Sequence, residues 1–247
     1  MESIFNNEKY KTDTFLTNEL QQIRKKFVPE QDIELIPFDY ILFKQFFPFN
    51  NKKCTNINLS KYQITNIGKY SMTDLYTSKI TSNIIYEYFT NKFNQTDIII
   101  TDATANMGGD TISFANKFSK VNSVEIIYTH YSVMSNNINV ACVDNVTPYW
   151  ANYLDIADKL KNDIVFIDAP WGGKSYKDFD KMDLYLDNIN VKEIAKLLLQ
   201  RKLCKMVVLK VPINYNTDKL DIFEYYIKDI KNRKEITKYK LILLFIS

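Results

Sequence analysis

The run Asp168-Ala169-Pro170-Trp171-Gly172-Gly173 sets a carboxylate, a proline and an indole directly after the apolar stretch Ile164-Val165-Phe166-Ile167. These residue types suit the handling of an exocyclic amine on a flat base. Asp168 and neighbouring carbonyls can accept hydrogen bonds from an N–H2 group, turning its nitrogen lone pair toward a methyl donor. Trp171 offers a stacking face, worth roughly 1–3 kcal/mol per base on comparable platforms. Reaction then depends mainly on the alignment of nitrogen, methyl and sulfur, so no strong general base is required. The plainer alternative makes Asp168 a helix cap and Trp171 a core residue. The position after a strand, late in an alternating pattern, weighs against it.

A second constellation precedes it. Ile98-Ile99-Ile100 leads to Asp102, a loop through Gly108-Gly109, a helical stretch, and then Glu125. A strand, an acid, a glycine-containing loop, a helix and a further acid about 20 residues on form the general pattern of a Rossmann-like nucleoside site. Glu125 would accept hydrogen bonds from two ribose hydroxyls, since an ionised carboxylate is acceptor-only. No glycine lies between Asp102 and Gly108, so the loop departs from G-x-G-x-x-G. A dinucleotide needs its pyrophosphate close to such a backbone. S-adenosylmethionine carries no phosphate, and the spacing therefore favours that methyl donor over NAD, with a structural turn as the competing reading. Glycine itself is scarce: the chain has 5, four of them in the two doublets and the fifth at Gly68. A chain so sparing of glycine keeps it where the backbone needs positive φ or close approach.

The elements that would position these residues alternate. Strands are expected at 98–100, 121–127, 148–152, 163–167, 205–211 and 239–246, with helices over 78–93, 110–118, 131–139, 191–201 and 221–231. That alternation implies a mostly parallel sheet with helices on both faces. Residues 1–75 read as an accessory extension, small and mainly helical, and 76–247 as the catalytic domain. Within the extension a helix is expected near Lys9–Phe27. An aromatic-rich stretch punctuated by Pro29, Pro37 and Pro48 follows, as a cap on the domain or part of a substrate groove.

Composition sets outer bounds. Hydrophobic residues make up 46% and charged residues 25% of 247, enough for a large core. The net charge of +3 permits a nucleic-acid partner without demanding one. Basic clusters at Arg24-Lys25-Lys26, Lys52-Lys53 and 228–240 read equally well as solvated faces. Cys54, Cys142 and Cys204 show no C-x-x-C spacing, so neither a disulfide framework nor a zinc site is expected, and a reducing intracellular compartment follows. His130 is the only histidine, and no metal is expected. No apolar run reaches the ~18 residues of a membrane span. The opening residues lack the basic-then-apolar pattern of a secretion signal. Lys, Asn, Ile and Tyr are abundant, as in AT-rich coding sequences, and that usage suits a viral chain in a host cell as well as a cellular one.

Taken together, the motifs resemble the trimethylguanosine synthase family of RNA cap guanine-N2 methyltransferases. Asp102 to Thr111, D-A-T-A-N-M-G-G-D-T, resembles the family's D-A-F-C-G-V-G-G-N-T. Asp163 to Tyr176, D-I-V-F-I-D-A-P-W-G-G-K-S-Y, resembles D-V-V-F-L-S-P-P-W-G-G-P-x-Y. Gly68 to Thr73 is similar to G-W-F-S-V-T, Asn136-Asn137 to an N-N helix end, Asn152-Tyr153-Leu154 to G-D-F and Val211 to Asn214 to L-P-R-N. These matches run in order from 68 to 215.

The resemblance implies a Rossmann-like class I methyltransferase with a mostly parallel seven-stranded sheet. It implies S-adenosyl-L-methionine as cofactor, held by Asp102, Thr104, Ala105, Gly108, Gly109, Thr111, Glu125 and Asn152. Asp168, Pro170 and Trp171 would be catalytic, with Ser71, Trp171, Tyr176 and Asn214 against the substrate, a 7-methylguanosine cap. Four departures stand out: Asn106 replaces a loop glycine, Asn152 the acid that contacts the adenine amine, Asp168-Ala169 the Ser-Pro pair, and Ile213 an arginine near the cap phosphates. Two other readings stay open. The acid at Asp168 resembles D-P-P-W enzymes that methylate adenine N6, so another nucleic-acid amine could be the target. The asparagines suit a catalytically silent fold serving as a regulatory subunit, with a protein partner. Nucleus and cytoplasm are not distinguished.

Overall fold

The computed structural model describes residues 32–51, 53–218, 223–231 and 234–245. The helix expected near Lys9–Phe27 lies outside them. In chain order the elements are α1 (Tyr40–Phe46), α2 (Leu75–Phe93), β1 (Ile99–Asp102), α3 (Gly109–Ala115), β2 (Lys120–Glu125), α4 (Tyr128–Val140), β3 (Val146–Trp150) and α5 (Tyr153–Ile156). There follow β4 (Ile164–Ile167), β5 (Tyr185–Leu186), β6 (Ile189–Asn190), α6 (Val191–Gln200), β7 (Met206–Val211), β8 (Phe223–Lys231) and β9 (Lys234–Phe245).

The main sheet has seven strands in the order β3-β2-β1-β4-β7-β9-β8. β3, β2, β1, β4 and β7 pair in parallel, and β9 runs antiparallel to both β7 and β8, so six strands share one direction. All six residues of β7 are buried, and they alternate between two cores. Met206 and Val208 join Ile85, Phe89, Phe114 and Phe166 on the α2 side, while Val207, Leu209 and Val211 join Ile194, Ala195 and Leu198 beneath α6. Period-two alternation with both faces covered is what a central strand of a doubly wound sheet requires. Chain order reverses between β1 and β4, which makes their carboxyl ends the place for a ligand.

The helix expected over 221–231 is strand β8 instead. Phe223, Tyr226, Ile227 and Ile230 fit helical spacing, yet Phe223, Tyr225 and Ile227 fit alternation equally well. Nine pairings with β9, from Phe223↔Leu243 to Lys231↔Lys234, settle the matter. Such pairing is non-local, and context of this kind outweighs propensity.

The first part of the chain is fastened to the sheet domain through a third core. Phe43, Phe47, Tyr62 and Ile64 pack against Met107, Ile112, Val133 and Ala141, with the Phe47 and Tyr62 rings stacked at 4.2 Å. Asn137, fully buried on α4, acts as a hub: its Oδ1 accepts from the Gln63 amide at 2.8 Å, and its Nδ2 donates to the carbonyls of Gln63 and Met107, each at 3.0 Å. One expectation about the cysteines is overturned here. Cys54 and Cys142 form a disulfide with Cα atoms 6.3 Å apart, joining positions 88 residues apart in sequence, while Cys204 is a buried free thiol. Spacing rules read local motifs and do not see a pair brought together by folding, so the cysteine argument for a reducing compartment does not hold for this pair. Among the described residues no helix is long and apolar enough to cross a membrane.

Candidate active site

A small open cleft lies at the carboxyl ends of β1 and β4. It gathers six expected residues: Ser71, Asp102, Thr104, Ala105, Gly109 and Asp168. Met72, Thr73, Asn106 and Asp110, which the motif reading did not select, complete the lining. Thr111 is buried beneath, its Oγ1 donating to Asp102 Oδ2 at 2.7 Å. Thr104 ties the two strand ends together by accepting from the Asp168 amide at 2.9 Å.

Three buried oxygens at this cleft lack any protein donor: Asp102 Oδ1, Asn106 Oδ1 and Asp110 Oδ1. Unpaired buried acceptors are costly, and their concentration here suits a ligand rich in donors and positive charge. The ammonium and sulfonium of S-adenosylmethionine fit that description.

Asn106 stands where the family motif carries a glycine. Asn106 adopts φ 49° and Gly108 φ 87°. The left-handed region excludes most side chains but admits asparagine. Asn106 in turn donates its amide to Glu125 Oε2 at 2.8 Å, while the Ile127 amide reaches Oε1 at 2.8 Å. An ionised carboxylate has about four acceptor positions, so Glu125 retains capacity for a ribose. Burial pushes both Asp102 and Glu125 up to about 7.

A pH dependence follows from those two groups. Their folded pKa values lie above the unfolded ones, so the unliganded protein loses stability as pH rises from about 4 to about 7. A ligand that donates to the carboxylates favours their ionised forms. S-adenosylhomocysteine is therefore expected to bind more tightly at pH 8 than at pH 6, with release of about one proton at pH 7. Calorimetry in two buffers of different ionisation heat measures that proton directly. Identical observed heats in the two buffers, or tighter binding at pH 6, would contradict the assignment.

Lys210 is the residue that motif reading missed. It continues the Met206/Val208 face of β7 to the edge of the cleft and is 5% exposed. Its Nζ lies 2.5 Å from Asp168 Oδ2, 2.6 Å from Thr73 Oγ1 and 3.7 Å from Asp110 Oδ2. Burial alone would lower its pKa; the carboxylates of Asp168 and Asp110 more than reverse this and keep the ammonium charged. Burial likewise pushes Asp168 up, against the pull of Lys210. The available signal was a lone charge inside the apolar strand M-V-V-L-K-V.

The remaining expected residues are not among those lining the cleft. Trp171 is half-buried between the two cores, and its ring meets Tyr176 edge-on at 5.3 Å. Pro170 is exposed just before it. Gly172 and Gly173, at φ 80° and 70°, turn the chain sharply after the indole, a conformation that residues with a Cβ rarely adopt twice in succession. Asn214 acts on this loop from below, its Nδ2 donating to the carbonyls of Tyr176 at 2.7 Å and Phe179 at 2.6 Å. Ile213, where the family motif carries arginine, is 51% exposed and offers no charge to a phosphate. Asn152 caps α5, its Oδ1 accepting from the Leu154 amide at 3.0 Å, and its Nδ2 donates to Asp187 Oδ2 at 3.0 Å.

Sheet order, an acid closing β1, another closing β2 and a D-A-P-W run closing β4 define a class I S-adenosylmethionine-dependent methyltransferase. The chain belongs to the RNA cap guanine-N2 methyltransferase family, whose model matches residues 97–242. It is 35% identical over 154 residues to uncharacterized protein L320 of Acanthamoeba polyphaga mimivirus, across 60% of this chain and 58% of that one. The match thus spans less than two thirds of that relative's length. Solved structures similar to it include a putative methyltransferase from Porphyromonas gingivalis W83 and an rRNA methylase from Streptococcus thermophilus. The first shows TM-score 0.48 and 13% identity over 73% of this chain and 42% of that one. The second shows 0.44 and 13% over 66% and 94%.

Proposed function

We propose that this chain transfers a methyl group from S-adenosylmethionine to N2 of guanine in a 7-methylguanosine RNA cap. One observation carries the reading: at the end of β4 an acceptor carboxylate held by a buried ammonium stands three residues before an indole braced edge-on by Tyr176. A 7-methylguanine ring is positively charged and electron-poor, so it stacks well on an indole face. Asp168 lines the cleft and, having spent one oxygen on Lys210, keeps lone pairs for the N–H of the amine. Pro170 gives the turn a fixed φ, and Ser71 also lines the cleft. The cofactor supplies an electrophilic methyl group. Asp102, Thr104, Ala105, Gly108, Gly109, Thr111 and Glu125 place it, and the chain's own contribution to the reaction is alignment and exclusion of other poses. Capped RNA is the proposed partner. The mimivirus relative supports a viral chain acting on transcripts inside a host cell.

Calorimetric titration with S-adenosylhomocysteine and then 7-methylguanosine diphosphate tests this, with Trp171→Ala as the variant. The expected result is cap-analogue binding roughly 5–150-fold weaker in the variant, the range for one lost base–aromatic stack. S-adenosylhomocysteine affinity is expected to be unchanged, which separates lost stacking from lost folding. Binding of adenosine monophosphate in preference to the cap analogue would overturn the reading and point to an adenine amine.

A further inference from the structure

The β5–β6 hairpin, outside every motif, carries a carboxylate to Asn152, just past the end of β3. Its two-residue turn is Asp187-Asn188, with φ 47° and 67°, between the paired residues Leu186 and Ile189. Two consecutive left-handed residues match the twist of a tight hairpin. The hairpin is anchored at its base: Leu184 and Val191 are buried, and the Val191 amide donates to the Leu184 carbonyl at 3.0 Å. Its tip is therefore a held position. There Asp187 Oδ2 accepts from Asn152 Nδ2 at 3.0 Å.

Asn152 lies two residues past Trp150, the last residue of β3. β2 and β3 finish side by side, with Glu125 opposite Trp150 and the Ala151 amide donating to the Glu125 carbonyl at 3.1 Å. Just beyond Glu125 stands Ile126, 38% exposed. A nucleoside with its ribose on Glu125 would thus lay its base on an apolar side chain, with the far edge toward Asn152 and the hairpin tip. Asn152 already uses its oxygen on the Leu154 amide and its nitrogen on Asp187. Asp187, exposed and acceptor-only, keeps lone pairs to offer.

We propose that Asp187 accepts a hydrogen bond from the 6-amino group of the cofactor's adenine, with Asn152 as the residue that orients it. This rests on Glu125 as the ribose carboxylate and is independent of which amine is methylated. The hairpin tip then acts as the specificity determinant for adenine at the cofactor site.

The test pairs a change in the protein with a change in the ligand. Titrations compare S-adenosylhomocysteine with its purine analogue, in which hydrogen replaces the 6-amino group. The variants are Asp187→Gly, which the positive φ tolerates, and Asp187→Asn, which keeps the shape of the side chain. Wild type is expected to prefer S-adenosylhomocysteine by roughly 10-fold, the scale of one hydrogen bond to a charged group. Asp187→Gly is expected to bring that preference close to one while leaving affinity for the purine analogue unchanged, and Asp187→Asn to reduce it in part. Equal weakening of both ligands in Asp187→Gly would make the contact a latch for the hairpin and overturn the proposal. An unchanged preference would overturn it too. These outcomes involve no cap analogue, so they do not depend on the proposed methyl acceptor.

Discussion

Lys210→Met is expected to lower the unfolding free energy by about 3–5 kcal/mol, the usual cost of removing one partner of a buried ion pair. The measurement is the denaturant midpoint at constant slope. Asp168 and Asp110 both place carboxylate oxygens within 4 Å of the ammonium, so deleting the cation leaves two buried acids facing each other. In the variant the Asp168 carboxyl, already raised by burial, loses the cation that pulls it down, so its pKa rises further above the unfolded one. The loss is therefore expected to shrink on acidification and grow as pH rises toward neutrality.

A rescue distinguishes this account from simple core damage. The family motifs carry asparagine and serine where this chain has Asp110 and Asp168. Adding Asp110→Asn and Asp168→Ser to Lys210→Met removes the uncompensated charges and is expected to restore most of the lost stability. If the triple variant were no more stable than Lys210→Met alone, the charge argument would fail. In this reading the buried lysine is what lets the chain hold two acids where the motifs have neutral residues.

Asp102→Asn is expected to move binding and stability in opposite directions. Asp102 is 1% exposed, and its Oδ1 has no donor from the protein. Before ligand arrives the ionised group is poorly compensated, since burial outweighs the Thr111 hydroxyl and the Thr104 amide that favour it. Burial accordingly pushes its pKa to about 7. Asparagine removes that buried charge while keeping an oxygen for Thr111, so unliganded stability at pH 8 is expected to rise. The same substitution removes the charged acceptor proposed for the cofactor's cationic end. S-adenosylhomocysteine binding is expected to weaken roughly 10–150-fold, the range for a hydrogen bond to a charged group. Thermal unfolding and calorimetry in one buffer at pH 8 decide it. Weaker binding together with lower stability would show that Asp102 organises the loop and is not held in reserve for a ligand.

Much of this site was readable in one dimension, for a specific reason. The strand ends at Asp102 and Asp168 announce themselves because an apolar run stopping at an acid is a local pattern. So is a glycine doublet in a chain with 5 glycines. Glu125 lies inside the strand expected at 121–127, and the fold ends β2 there. Order along the chain then supplied the doubly wound sheet, since parallel strands joined by helices admit few connections. The substitution at Asn106 was visible as a departure, but its left-handed φ of 49° was not.

What the fold alone decided are the partnerships between distant residues. A lone lysine in β7 is visible in the sequence; that it meets Thr73, Asp110 and Asp168 depends on three separate elements converging at the switch point. The Cys54–Cys142 bond and the Asn152–Asp187 contact bridge 88 and 35 residues respectively. Strand β8 is the same lesson in backbone form, a segment whose spacing suits either helix or strand until β9 lies beside it. Periodicity and local chemistry are properties of a few neighbouring residues, so the sequence determines elements and motif positions by itself. Burial, charge compensation and strand pairing are properties of residues that become neighbours only on folding, and there the tertiary structure has the deciding role.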